Sequence, residues 1–254
     1  MTDSSDLITE REAAPTQPLC VEGGFDGERI VTSPEPEDLG AEVMNGRIVV
    51  VKGVFRTQAD ELLALRRAVV EWGRTTPPLP APDPTANCHC LQAGVSVRQH
   101  TPHVYHAYDF NRISRLPEGL RSRLRRFYEP LNVLQNALTG NSARFEAFED
   151  AATLHPQLLH YPLGGGLFGR HVHPLEPQWI GMIVALSRRG VDFDRGGICF
   201  EIEARVVDVA PHHELGDIAL FRFDIPHWVN PSPLDDNFDW DSEAGRWSMV
   251  LPYH

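Results

Sequence analysis

Cysteine is scarce. Cys20, Cys88, Cys90 and Cys199 are the four in 254 residues, too few and too scattered for a disulfide framework, which points to a reduced, cytoplasmic compartment. Basic excess is missing as well: 23 Lys and Arg against 35 Asp and Glu leave a formal net charge of −12, which excludes a general nucleic-acid or membrane-surface binder. No run approaches the ~18 consecutive apolar residues of a membrane span. The opening Met1-Thr2-Asp3-Ser4-Ser5-Asp6 has neither the basic nor the apolar region of a signal peptide. Internal repeats are absent. The length suits a single sizeable core, so one soluble catalytic domain with appendages is the expectation.

Residues 1–40 are rich in Ser, Thr, Pro, Glu and Asp and read as a flexible N-terminal arm. The rest, 41–254, reads as a single domain, with a helical and strand lead-in over 41–153 and a strand-rich core over 154–254. A turn at Asn45-Gly46 precedes a strand over Arg47 to Lys52. Thr57 is placed as the N-cap of a helix reaching Trp72, its apolar stripe carried by Leu62, Leu63, Leu65, Val69 and Val70. The prolines between Thr75 and Asn87 require a loop. Cys88-His89-Cys90 resembles a metal fragment, but no matching pair stands at zinc-finger spacing, so these are expected to be ordinary loop residues. Short strand-like pieces follow around Val95 to Val97 and Val104-Tyr105. His100, His103 and His106 and the pair His212-His213 read as solvated.

A long helix is predicted from Pro117 to Leu138, with Gly140 as its stop. From Leu154 the texture changes to short extended runs: Leu158 to Tyr161, Gly169 to His173, Ile180 to Leu186, Ile198 to Glu203, Val206 to Val209, Ile218 to Phe223, His227 to Asn230 and Arg246 to Pro252. Short strands behind two helices predict an α+β fold with a jelly-roll or β-sandwich core buttressed by N-terminal helices.

The chemistry concentrates in Arg170-His171-Val172-His173. Strand side chains alternate with period two, so His171 and His173 project to one face. Neutral imidazole is a common ligand of first-row transition metals, and a third histidine, His227, makes a facial metal site plausible.

These residues stand within an ordered set of landmarks. Tyr161-Pro162 and Gly164-Gly165-Gly166 precede His171; Gly196-Gly197-Ile198-Cys199-Phe200, Gly216 to Phe221, His227 and Arg246-Trp247-Ser248 follow. In this order they resemble the double-stranded β-helix core of the iron(II)- and 2-oxoglutarate-dependent dioxygenases, particularly the prolyl-hydroxylase-like branch. The resemblance implies Fe(II), 2-oxoglutarate as co-substrate and dioxygen. It places His171 and His227 as metal ligands, Arg246 as the guanidinium fork on the distal carboxylate of 2-oxoglutarate, and Ser248 and Tyr161 as further contacts. It also implies oxidation, by default hydroxylation, of a small molecule such as an amino acid or secondary metabolite, by a monomer or homodimer.

Position 173 departs from the family, which has Asp or Glu there. Three readings stay open: His173 is itself the third ligand, Glu176 swings in as the carboxylate, or only His171 and His227 bind. The interval from His227 to Arg246 is also long for the family, and its Asp-rich excess, Pro233 to Ala244, is expected near the site mouth. Two other functions compete. A cupin-type three-histidine iron oxygenase or isomerase would not use 2-oxoglutarate, and a non-catalytic β-helix domain would only bind a metal or small ligand.

Overall fold

The computed structural model describes residues 17–96, 99–147, 153–233 and 237–253. In chain order the elements are β1 (Leu19–Phe25), β2 (Ile30–Ser33), α1 (Pro36–Met44), β3 (Val49–Lys52), α2 (Ala59–Thr75), β4 (Asn87–Val95), β5 (Pro102–Phe110) and α3 (Glu118–Thr139). They continue with β6 (Arg144–Phe145), β7 (Thr153–Leu154), β8 (Gln157–Pro162), β9 (Leu167–His171), β10 (Ile180–Ala185), β11 (Ile198–Ile202), β12 (Arg205–Asp208), β13 (Ile218–Arg222), β14 (His227–Val229) and β15 (Gly245–Val250).

Two interleaved four-strand sets form the core. One runs β8-β15-β10-β13 and the other β9-β14-β11-β12, with every pairing inside each set antiparallel. Consecutive strands thus alternate between the two sets except β11 and β12, which pair as a hairpin within the second; this is the winding of a double-stranded β-helix, and the expected α+β class with a jelly-roll core holds. β5 joins the sets by pairing with both β8 and β9. β3 and β1 extend the first set beyond β13.

Period-two alternation builds two separate cores. Val49 and Val51 of β3, Leu158 of β8, Ile218 and Leu220 of β13 and Trp247 and Met249 of β15 meet Leu62, Leu65, Leu124, Phe127 and Leu131 from α2 and α3. The opposite faces of the same strands turn into the barrel, where Val50, Tyr161 and Phe221 pack with Ile198, Phe200, Val207 and Val229. Helical spacing explains why α2 and α3 each offer one apolar stripe to the first layer. No helix among the described residues is long and apolar enough to cross a membrane.

Several expectations are corrected. Residues 19–40 are not part of a flexible arm: β1 pairs parallel with β3 over Leu19 to Glu22, β2 covers β1, and α1 packs on α3. The polar composition misled because only one face of these elements is covered, as the alternating burial of Leu19 to Glu22 shows. Residues 1–16 of that arm, like Val97, lie outside the described residues. Thr57 does not cap α2, which is entered through a 3-10 turn at Arg56–Gln58 with no side-chain cap. Cys88, His89 and Cys90 lie in a strand rather than a loop. Gly140 does end α3, in the left-handed conformation.

Candidate metal centre and its cavity

The turn from β8 into β9 is made by the glycine run. Gly164 and Gly165 have φ of 77° and 132°, conformations that cost side-chain-bearing residues dearly. The turn closes with Gly166 N–H donating to Pro162 O at 2.9 Å. β9 then carries His171 directly opposite His227 of β14 in the antiparallel register. Arg170 and Val172 point outward, while His171 and His173 turn inward. The predicted shared face is therefore present, although β9 ends at His171 and His173 lies just past it.

The three imidazoles converge. One ring nitrogen each from His171, His173 and His227 lies within 4.8 Å of the others. Ring centroids are separated by 4.2 Å for His171 and His227, 4.9 Å for His171 and His173, and 5.3 Å for His173 and His227. His173 is held by stacking on Phe223 at 4.4 Å. Nδ1 of His171 lies 2.9 Å from Gly169 O, and Nδ1 of His227 lies 2.9 Å from Ile225 O. A carbonyl only accepts, so each Nδ1 carries the hydrogen and each Nε2 presents a lone pair. Burial keeps all three rings neutral at pH 7: it lowers His171, holds His173 down to about 4 and drives His227 well below the usual range. Neutral imidazole is the ligating form. Glu176 is exposed and outside the cluster.

The rings open onto a cavity of about 510 Å³, also lined by Tyr161 and Ser248. Arg246 and Ser248 lie on the barrel face of β15, with Arg246 directly opposite Tyr161 of β8. Arg246 is not on the cavity wall. Its guanidinium is buried, and Nη1 finds no hydrogen-bond partner among the described residues; neither does Ser248 Oγ. Burial lowers Arg246 to about 10, with Tyr161, Cys199 and Asp208 acting against the shift, so it is charged at neutral pH. Burial pushes the Tyr161 hydroxyl up to about 12, against the pull of Arg246, and keeps it a neutral donor. A desolvated cation beside the unpartnered Ser248 hydroxyl and across the register from Tyr161 is an arrangement suited to a carboxylate.

The opposite end of the cavity was not foreseen. Asp109 and Gln157 line it, joined by a hydrogen bond from Gln157 Nε2 to Asp109 Oδ1. Burial raises the Asp109 carboxyl to about 6. The hidden signal was the alternation of Tyr105, Ala107 and Asp109 along β5, masked by the polar residues between them.

Other placements changed too. Trp240, Asp241 and Ser242 of the Asp-rich insertion line a different cavity with His106 and Tyr108, on the side of α2; Leu234 to Asp236 lie outside the described residues. His106 is buried and bonded to His89 at 2.7 Å, and His213 is buried with Nε2 3.1 Å from both Ile183 O and Asp217 O. Neither histidine is solvated, because each sits on a face covered by another layer.

Together these features define a double-stranded β-helix with an inward-facing three-histidine cluster and a buried arginine whose Nη1 has no partner among the described residues. Solved structures share the fold. A prolyl-4-hydroxylase from Pseudomonas putida superposes with a TM-score of 0.54 at 13% identity, covering 85% of this chain and 97% of that one. A Trichoplax adhaerens prolyl hydroxylase, solved with a hypoxia-inducible-factor peptide fragment, gives 0.51 at 15% identity over 86% and 90%. The non-haem α-ketoglutarate-dependent epimerase SnoN from nogalamycin biosynthesis gives 0.54 at 14% over 86% and 82%. At these identities the likeness establishes the fold. No family model and no curated protein sequence matches the chain.

Proposed function

We propose that this chain is a non-haem iron(II)- and 2-oxoglutarate-dependent oxygenase acting on a small molecule, with residues 19–253 forming one catalytic unit. The observation that carries the reading is the pairing of two features across one barrel: three neutral imidazoles with converging nitrogens and the buried Arg246 Nη1 and Ser248 Oγ, which have no hydrogen-bond partner among the described residues. The donor set fits iron(II), which takes imidazole readily and needs open positions beside a facial triad. His171, His173 and His227 would hold the metal; Arg246, Ser248 and Tyr161 would hold the distal carboxylate of 2-oxoglutarate. Iron(II) with a 2-oxo acid supplies dioxygen activation and C–H oxidation.

The chain's own residues do the rest. Carbonyls of Gly169 and Ile225 fix the tautomers of His171 and His227. Phe223 sets the plane of His173. Phe168, Phe221 and Phe223 give the cavity an apolar wall beside the cluster. Asp109 and Gln157 add polar groups to the cavity wall. The cavity suits an amino acid or secondary metabolite better than a nucleic acid, which the acidic balance disfavours.

Aerobic incubation with iron(II), 2-oxoglutarate and a metabolite panel tests this, read as succinate release coupled to a substrate mass change. One observation favours a second reading, a three-histidine oxygenase without 2-oxoglutarate: His173 stands where a carboxylate is usual. Substrate oxidation with no dependence on 2-oxoglutarate and no succinate would establish that alternative.

A further inference from the structure

Cys88-His89-Cys90 is divided between two layers by the alternation of β4. His89 faces the helices, where it bonds His106 and stacks on Tyr108. Cys88 and Cys90 face the barrel side, where the β4–β5 register sets Cys88 against Asp109. The two sulfurs and a carboxylate oxygen of Asp109 lie within 4.8 Å of one another, and all three residues are buried. Spacing i, i+2 on a strand accounts for the two sulfurs sharing a face, and the cross-strand partner supplies the carboxylate. Asp109 carries a second, independent sign. It is 2% exposed, and while Oδ1 accepts from Gln157, Oδ2 has no hydrogen-bond partner among the described residues. A buried oxygen without a donor is a costly state, and thiols are weak donors for relieving it.

We propose that Cys88, Cys90 and Asp109 form a second metal site, for a thiophilic divalent ion of the zinc class, distinct from the histidine cluster. Two thiolates and a carboxylate belong to the tetrahedral ligand set of zinc, and the fourth position is open to water. On binding, each thiol gives its proton to solvent. Burial pushes Cys90 up to about 12, with Cys88 and Asp109 adding to the shift, so the ion replaces protons held firmly in its absence. The site also has a structural role to play. Backbone N–H of Asp83, in the proline-rich loop, lies 3.5 Å from Cys88 Sγ, and Leu79 N–H donates to His89 O at 2.8 Å. An ion here fastens that loop to β4 and fixes Asp109 on the wall of the histidine cavity.

The full chain, stripped of metal by a chelator under anaerobic reducing conditions, is titrated with cobalt(II) as a spectroscopic stand-in for zinc. The expected result is near-ultraviolet thiolate-to-cobalt absorption that saturates, at one ion per chain where the histidine cluster has been removed, and is bleached by added zinc. It persists in the His171→Ala/His227→Ala variant, disappears in Cys90→Ser, and needs at least tenfold more cobalt in Asp109→Asn. A folded parent chain that shows no thiolate absorption overturns the proposal. So does absorption that survives Cys88→Ser/Cys90→Ser or vanishes in Cys199→Ala, since the sulfur then belongs elsewhere. Should the Cys88 and Cys90 variants fail to fold by circular dichroism, the parent, the double-histidine variant and Cys199→Ala decide the matter alone.

Discussion

The carbonyl oxygens of Gly169 and Ile225 decide which nitrogen of His171 and His227 faces the cavity. Each accepts from Nδ1 across 2.9 Å, so metal affinity at these positions depends on backbone placement as much as on residue type. His173 depends instead on the ring of Phe223. As the third ligand, His173 should be worth at least as much as the outer-shell partner of a ligand, so His173→Ala should weaken iron(II) binding by roughly a hundredfold or more, while His173→Asp should retain the metal. Iron titration of the two variants checks this, and parent-like binding by His173→Ala removes that residue from the site. Arg246 makes a separate prediction. Charge-assisted bonds to a carboxylate are worth about 1.5–3 kcal/mol each, so Arg246→Gln should weaken 2-oxoglutarate binding by roughly a hundredfold with iron retained. Calorimetry on the iron-loaded protein reads this out, and unchanged affinity withdraws the role given to Arg246.

Among the secondary-structure elements, those of the barrel were readable because their sequences alternate cleanly. Ile218 and Leu220 pack under the helices, while Phe221 turns into the barrel; residues of one such strand segregate by parity, and predicted and observed limits of β8, β10 to β13 and β15 agree to within about two residues. Only fragments of β4 and β5 are legible, at Val95 and at Val104-Tyr105, because both of their faces carry buried polar groups, His89 and His106 on one side and Asp109 on the other. No apolar alternation survives in such a pair, and polarity was taken for exposure. The six residues assigned to metal and co-substrate do face the barrel, but the depth of Arg246 and the approach of Asp109 are set by cross-strand register, which a linear sequence does not display. Helix contacts were equally hidden. A Cβ on Gly40 of α1 would overlap the carbonyl oxygen of Leu138 in α3, so Gly40→Ala must push the helices apart. Overpacking of this kind costs about 1–3 kcal/mol, and a urea melt should show that loss with little change in the iron affinity of the distant histidines.

Across the whole molecule, the two cores between them bury an unusual set of neutral histidines, and this makes stability depend on pH. Burial holds His106 down to about 3 and His160 and His213 down to about 4, whereas an unfolded imidazole titrates near 6.5. Between those values the unfolded chain binds protons that the native chain refuses, so stability present above pH 6.5 is lost as pH falls toward 4. For His160 alone the loss by pH 5 is about 2 kcal/mol. Asp109, raised to about 6 by burial, acts in the opposite sense between pH 6 and 4 and offsets part of the total. A variant comparison separates the two. His160 stacks on Trp247 at 4.2 Å with an interplanar angle of 11°, and His160→Phe keeps a ring there while removing the titrating group. The urea midpoint of the parent should fall from pH 7.5 to pH 5, and that of His160→Phe should fall less, by the equivalent of about 2 kcal/mol. Equal falls in the two proteins would mean that His160 is protonated in the native state, and that the β8–β15 face beneath the helices admits water.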